Sequence, residues 1–172
     1  MEDTVKHILS KDNDCDLTNV SKYDSQPNAV DLRVSKIFSM DGQFLISENK
    51  KVHRATTEIE PDEKGWWSLE PGVYEIVMEN IVSVGEGYAG FVITRSTLNR
   101  NGVFITSGLY DSGYHGIMAG ALHVRGGKTY IKERTRVGQF IMFEAETLSL
   151  YDGSYGIDKQ HDKKYGEVKS GN

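Results

Sequence analysis

Apolar and polar residues alternate along several stretches of the chain, the spacing of half-buried strands. Residues 28–34, Asn-Ala-Val-Asp-Leu-Arg-Val, show it first, with Asp31 and Arg33 on one face as a surface ion pair. Strands continue over residues 43–57, and an acidic loop at 58–64 closes on Trp66-Trp67. Pro71-Gly72 marks a turn into the clearest strand of all, residues 73–84, with Tyr74, Ile76 and Met78 sharing a face. Residues 91–94, 103–105, 117–124, 129–131 and 137–144 supply further strands, and Arg125-Gly126-Gly127-Lys128 reads as a hairpin turn between two of them. Only residues 4–10 show a helical spacing, with Val5, Ile8 and Leu9 on one face and Asp3 or Thr4 as cap. From Tyr151 onward periodicity disappears, which predicts a tail mobile on its own or a flap of glycines and lysines over phosphates.

Composition narrows the class. A chain of 172 residues with no internal repeat reads as one domain, residues 1–172, and 18 glycines against three prolines favour a turn-rich β protein. The net charge of −5 disfavours a general nucleic-acid binder, although a few placed cations suffice for a nucleotide. One cysteine, Cys15, permits no internal disulfide and suits a reducing cytosol. No apolar run is long enough for a membrane span, and the first residues lack a signal-peptide pattern, so a cytoplasmic protein without membrane contact is expected.

Three patterns carry candidate chemistry. Asp12-Asn13-Asp14-Cys15-Asp16 resembles the opening of a calcium loop, but Leu17 stands where the turn needs Gly and Tyr23 where a bidentate Glu belongs. Gly85-Glu86-Gly87-Tyr88-Ala89-Gly90 has the dinucleotide spacing, but the β-branched run after it predicts a strand where that motif needs a helix. The third is the stretch from Arg95 to Gly116. Arg95, Ser96 and Thr97 are suited to phosphate oxygens, and a lone carboxylate, Asp111, sits in a glycine-rich turn beside Tyr114. Singly, these residues have plainer uses: a turn-forming Asp, a capping Arg-Ser pair, a core Tyr, and at Gln139 a satisfied buried amide.

Taken in order, four segments resemble the motifs of the trimeric dUTPases and the related dCTP deaminases. Ala29-Val30-Asp31-Leu32-Arg33 is similar to the first motif, and Arg95-Ser96-Thr97-Leu98 to the phosphate-binding Arg-Ser-Ser-Leu. Gly108-Leu109-Tyr110-Asp111-Ser112-Gly113-Tyr114-His115-Gly116 resembles the segment that holds uracil and deoxyribose, and Arg136-Val137-Gly138-Gln139 the Arg-Ile-Ala-Gln type. An N-terminal extension over residues 1–27, the second arginine Arg100 and the ending Lys164-Tyr165-Gly166 resemble the deaminase branch. Ala121, however, stands where that branch places the glutamate that handles protons at the cytosine ring. The glycine-rich Gly-Phe-Gly-Ser-Thr-Gly tail of dUTPases is absent, with residues 165–171 as a loose substitute.

The resemblance implies an all-β distorted barrel or jelly roll, assembled as a homotrimer with sites between subunits. It implies hydrolysis of dUTP to dUMP and pyrophosphate, with Asp111 as general base for water and Tyr114 flat on the sugar. Backbone around Ser107 and Leu109 would read the uracil, and Arg95, Ser96, Thr97 and Gln139 would hold phosphates. Arg100 would lie beneath the base, Lys164 and Tyr165 would close over the ligand, and Arg136 would be structural. Mg²⁺ would ride on the triphosphate, with Asp31 reaching it through water. The rival readings are a dCTP deaminase or bifunctional enzyme using another carboxylate, and an inactive nucleotide-binding regulator.

Overall fold

Two twelve-residue strands frame the molecule, and each changes neighbour along its length; the computed structural model that shows them describes residues 4–166. In chain order the first strands are β1 (Val5–Lys6), β2 (Asp16–Leu17), β3 (Val30–Asp41), β4 (Leu45–Ser47) and β5 (Lys50–Val52). Then come β6 (Ala55–Glu58), β7 (Trp66–Leu69), β8 (Gly72–Ser83) and β9 (Tyr88–Thr94). After the one-turn helix α1 (Ser96–Asn99) follow β10 (Val103–Thr106), β11 (His115–Val124), β12 (Thr129–Lys132) and β13 (Arg136–Glu144). A 3-10 turn, Asp162–Tyr165, lies near the end of the described chain.

The first part of β3 pairs with β13, its middle with β8 and its end with β6, all antiparallel, with a register shift between Val34 and Lys36 where the partner changes. β8 continues the sheet into β11, and β11 into β10, while β13 also carries β9 and the edge strand β1. The result is a sheet curled into a half-barrel, as the all-β expectation requires. Its main core holds Ile76 and Met78 of β8, with Tyr74 packed alongside, together with Leu32, Met118, Leu122 and Phe140. Val77, on the opposite face of β8, meets Phe38, Ile117 and Tyr165, so this part of the sheet is covered on both sides.

The structure revises three expectations. Residues 4–10 form no helix: Val5 pairs with Phe143 across β1 and β13, a turn follows from His7 to Ser10, and only Ile8 is buried. Seven residues are too few to hold a helix alone, and the edge of β13 offers backbone partners instead. Asp31 and Arg33 are not a surface pair, since Arg33 binds Asp24 at 2.7 Å while Asp31 is buried among other cations. The turn at residues 125–128 makes no hairpin, because β12 pairs with β7, Ile131 opposite Trp67. Its glycine instead permits close approach: a Cβ on Gly102 would lie 2.8 Å from Gly126 Cα. Residues 151–166, expected to be mobile alone or to form a flap, lie against the sheet, with Tyr151 N donating to Ser112 O and Tyr165 only 3% exposed.

The dinucleotide pattern is resolved as the sequence reading expected, because β9 and no helix follows it. Gly90 is there for contact. Its N–H and C=O both bond Tyr110, and an added Cβ would lie 2.3 Å from the Phe140 ring. Asp3 and residues 167–171, which the sequence reading invoked as a cap and as a tail motif, lie outside the described residues. No helix among the described residues is long and apolar enough to cross a membrane.

Candidate functional site

Asp31 is the fixed point of the first half of the site. β3 and β13 set Asp31 directly opposite Gln139, whose Nε2 donates to Oδ1 at 2.9 Å. Oδ2 accepts from Arg136 at 3.2 Å and Gln26 at 3.3 Å, and Arg95 Nε lies 3.4 Å away. The carboxylate is fully enclosed while both guanidinium groups remain about one-third exposed. A buried anion therefore holds two cations with their outer faces in solvent, an arrangement suited to gripping phosphate. Ser96 and Thr97 project beside it, exposed on α1, and Arg100 is exposed just after that helix. Arg136, expected to be structural, ties β13 to Tyr23 O and to Asp31 on β3.

The second half is the turn between β10 and β11. Ser107 Oγ accepts from Val92 N at 3.0 Å and anchors the turn to β9. Gly113 has φ +85°, a left-handed conformation that suits glycine, and Tyr114 N returns to Asp111 O at 3.0 Å. This leaves Asp111 exposed, its carboxylate without a hydrogen bond among the described residues. Tyr114 is 5% exposed, donates its hydroxyl to Ile117 O at 2.9 Å and meets Tyr110 and Tyr151 edge-on. Burial pushes the phenols of Tyr110 and Tyr114 up, so both stay protonated donors. In the single chain Tyr114 is thus packed from several sides rather than presented as a free flat face.

Beside this turn opens a cavity of about 660 Å³. Gly108, Leu109, Tyr110 and Tyr114 line one side, Ala119, Gly120 and Ala121 of β11 the floor, and Tyr151, Lys164 and Tyr165 the far wall. Of the expected residues it gathers Leu109, Tyr114, Lys164 and Tyr165; Asp111, Arg95, Ser96, Thr97, Arg100, Ser107 and Gln139 do not line it. It also contains groups that the sequence reading missed: Phe44, His53, Glu75, His161 and Asp162. Glu75 was detectable in principle, as the one charge inside the apolar run Val73-Tyr74-Glu75-Ile76-Val77-Met78. The histidines carried no such signal, since only the fold sets His53 against His161, their rings tilted by 53° with centroids 4.7 Å apart. Burial, then the neighbouring His161 and Lys51, hold His53 below its ordinary value, while His161 Nδ1 lies 3.0 Å from Asp162.

A metal finds no protein cage here, because the described residues contain no group of three or more His, Cys, Asp or Glu placed for one. Asp31 does not fit the water-mediated metal contact expected of it. Its oxygens are enclosed and already face two arginines and two amide donors, which repel a cation.

Comparison with known proteins agrees with this architecture. Residues 2–145 match the dCTP deaminase-like family. A probable deoxyuridine 5'-triphosphate nucleotidohydrolase of Methanothermobacter thermautotrophicus is 32% identical over 132 residues, covering 76% of this chain and 86% of that protein. The deoxyuridine 5'-triphosphate nucleotidohydrolase of Methanocaldococcus jannaschii is 28% identical over 141 residues, covering 80% and 90%. Among solved structures, the 2'-deoxycytidine 5'-triphosphate deaminase of Agrobacterium tumefaciens superposes with a TM-score of 0.57 at 15% identity, over 73% of this chain and 42% of that one. A mutant dUTPase of phage phi11 of S. aureus, described with a structural Mg(II) ion, gives 0.53 at 16% identity, over 83% and 98%. The chain belongs to the dCTP deaminase-like family, within the superfamily that joins dUTPases and dCTP deaminases.

Proposed function

We propose that this protein hydrolyses dUTP to dUMP and pyrophosphate. The observation that carries the reading is the turn at residues 108–116, which presents Asp111 as an exposed carboxylate, without a hydrogen bond among the described residues, next to a cavity of nucleotide size. Relatives covering most of the chain are named as nucleotidohydrolases of deoxyuridine triphosphate, which supports the same reaction. Asp111 accepts a proton from water as its oxygen bonds to the α-phosphorus; the bond to the bridging oxygen breaks and pyrophosphate leaves with that electron pair. Arg95 and Arg136, oriented from behind by Asp31, hold the charge that moves onto the leaving group. The reading keeps Ser96, Thr97 and Gln139 near the phosphates and Ser107, Leu109 and Tyr114 near the nucleoside. Magnesium comes bound to the triphosphate, and no step is assigned to Asp31 through it.

The grip around Asp31 and the cavity do not share lining residues within one chain. This supports a homotrimer in which the grip of one subunit completes the cavity of another. The setting is the cytoplasm, with free nucleotide as substrate. Ala121 contributes only a methyl group to the cavity floor, which weighs against deamination through that strand. The test is a product screen over all deoxynucleoside triphosphates with magnesium. Release of pyrophosphate from dUTP is expected, and Asp111→Asn should lower it by about 10²–10⁴-fold while nucleotide binding persists. Wild-type turnover in the substituted protein would remove Asp111 from the mechanism.

A further inference from the structure

The carboxylate of Glu75 has two partners, and both come from the far end of the chain. Oε1 accepts from the Tyr165 hydroxyl at 2.5 Å and Oε2 from Lys164 Nζ at 2.7 Å. Glu75 itself stands on β8 with its side chain 13% exposed, directly opposite Ala121 of β11. Side chains directly opposite one another share a face of the sheet. The methyls of Ala121 and of Ala119, two residues back on the same face, keep that face low, so that Lys164 and Tyr165 reach down to the carboxylate. Burial, then Glu75 itself, pushes the Tyr165 phenol up, so it remains the donor in this contact.

The other ties of the segment lie elsewhere. Its start is held by Tyr151 N on Ser112 O, its middle by Ile157 N on His115 O at 3.1 Å, and an internal bond joins Gly156 N to Asp162. These are bonds near the Asp111 turn and within the segment. At the far end Tyr165 packs on Phe38, Val77 and Ile117, and Glu75 supplies the polar anchor. Between those ends Tyr151, Tyr155 and His161 form the wall of the cavity. A charged acceptor with two donors is stronger than a neutral bond, and the low exposure of Glu75 limits competition from water.

We propose that Glu75 is a positioning residue that docks the C-terminal segment over the cavity, setting Lys164 and Tyr165 in place before nucleotide arrives. The part that concerns nucleotide rests on the function proposed above. Its consequence is a site whose far wall is formed in advance, so that binding does not have to order residues 151–166. Releasing the catch lowers affinity and leaves the chemical step at Asp111 alone.

The experiment uses the full chain with Glu75→Gln, which keeps the shape and removes the charge. In the absence of nucleotide, trypsin should cut after Lys159, Lys163 or Lys164 about tenfold faster than in wild type, read by mass spectrometry. With dUTP, KM should rise about tenfold with kcat within about twofold, the size of one charge-assisted hydrogen bond lost from binding. Lys164→Met should reproduce the faster cleavage after Lys159 and Lys163, and the double variant should add little to either single one. Wild-type cleavage in Glu75→Gln overturns the proposal, as does a fall in kcat at unchanged KM. If Glu75→Gln does not fold, Tyr165→Phe, which deletes only the hydroxyl, reads the same contact by the same assays. The protease result needs no nucleotide, so it stands or falls apart from dUTP turnover in the wild-type protein.

Discussion

Asp31 and Asp24 are two buried carboxylates a few residues apart, and each is held by arginine. For Asp24, burial pushes the carboxyl up, but the hydrogen bonds from Arg33 and Ser21 and the charges of Arg33 and Arg136 outweigh it, leaving the group below its ordinary value. A depressed folded value stabilises the protein above the unfolded value of about 3.9, and that contribution is lost as pH falls through and below about 4. Glu79, raised mainly by burial, has the opposite sign and relieves the folded state on protonation. Asp24→Asn should therefore be less stable than wild type at pH 7, and the gap should narrow below about pH 4, measured by urea unfolding at both values. For Asp31→Asn the expected loss is about 1–3 kcal/mol with a fall in turnover, because Arg95 and Arg136 lose the anion that aims them. Alternation along β3 made Asp31 and Arg33 legible as polar positions on one face. Their partners were not legible, because Asp24 and Arg95 come from connections and Arg136 and Gln139 from β13, which only the fold brings near.

Elements were legible where a long apolar alternation met a long strand, as in β8, β11 and β13, and less so where pairing chooses between options. Residues 4–10 carried a helical spacing, yet the open edge of β13 took them as a strand and turn. The glycines at 126 and 127 suggested a hairpin by local chemistry, but β12 found β7 instead, a partner about sixty residues back that no local rule names. Gly90 shows the same limit from the other side. The β-branched run after its six-residue glycine pattern excluded a phosphate loop, but nothing local named its neighbours in space, the Phe140 ring and the Ile141 carbonyl, at 2.3 and 2.7 Å from a hypothetical Cβ. Gly90→Ala should then destabilise by about 1–3 kcal/mol, because β9 and β13 must separate to admit a methyl. Gly108→Ala, with open space around the added carbon, is the control and should unfold at nearly the wild-type urea concentration.

At the scale of the whole molecule, the arginine cluster on Asp31, proposed above to grip phosphate, and the cavity proposed for the nucleoside have no residue in common. The grip forms where β3 passes β13, and the cavity lies over β8 and β11, next along the same curled sheet. Within one chain the residues around Asp31 and those lining the cavity are separate sets. In the cyclic trimer proposed above, each subunit would offer its arginine cluster to one neighbour and its cavity to the next, so that three sites would be completed between chains. Mixing two disabled proteins separates this from a site within one chain. Arg95→Ala removes the grip and Asp111→Asn removes the base, so each homotrimer alone should be nearly inactive. Refolded together, mixed trimers contain junctions where an intact Arg95 meets an intact Asp111 on different subunits, and dUTP turnover should return to a measurable fraction of wild type. If both residues act within one chain, no mixture holds an intact pair and turnover stays at the level of the separate variants. Sedimentation equilibrium on the same samples, at three chain masses, confirms that the mixture was assembled when it was assayed.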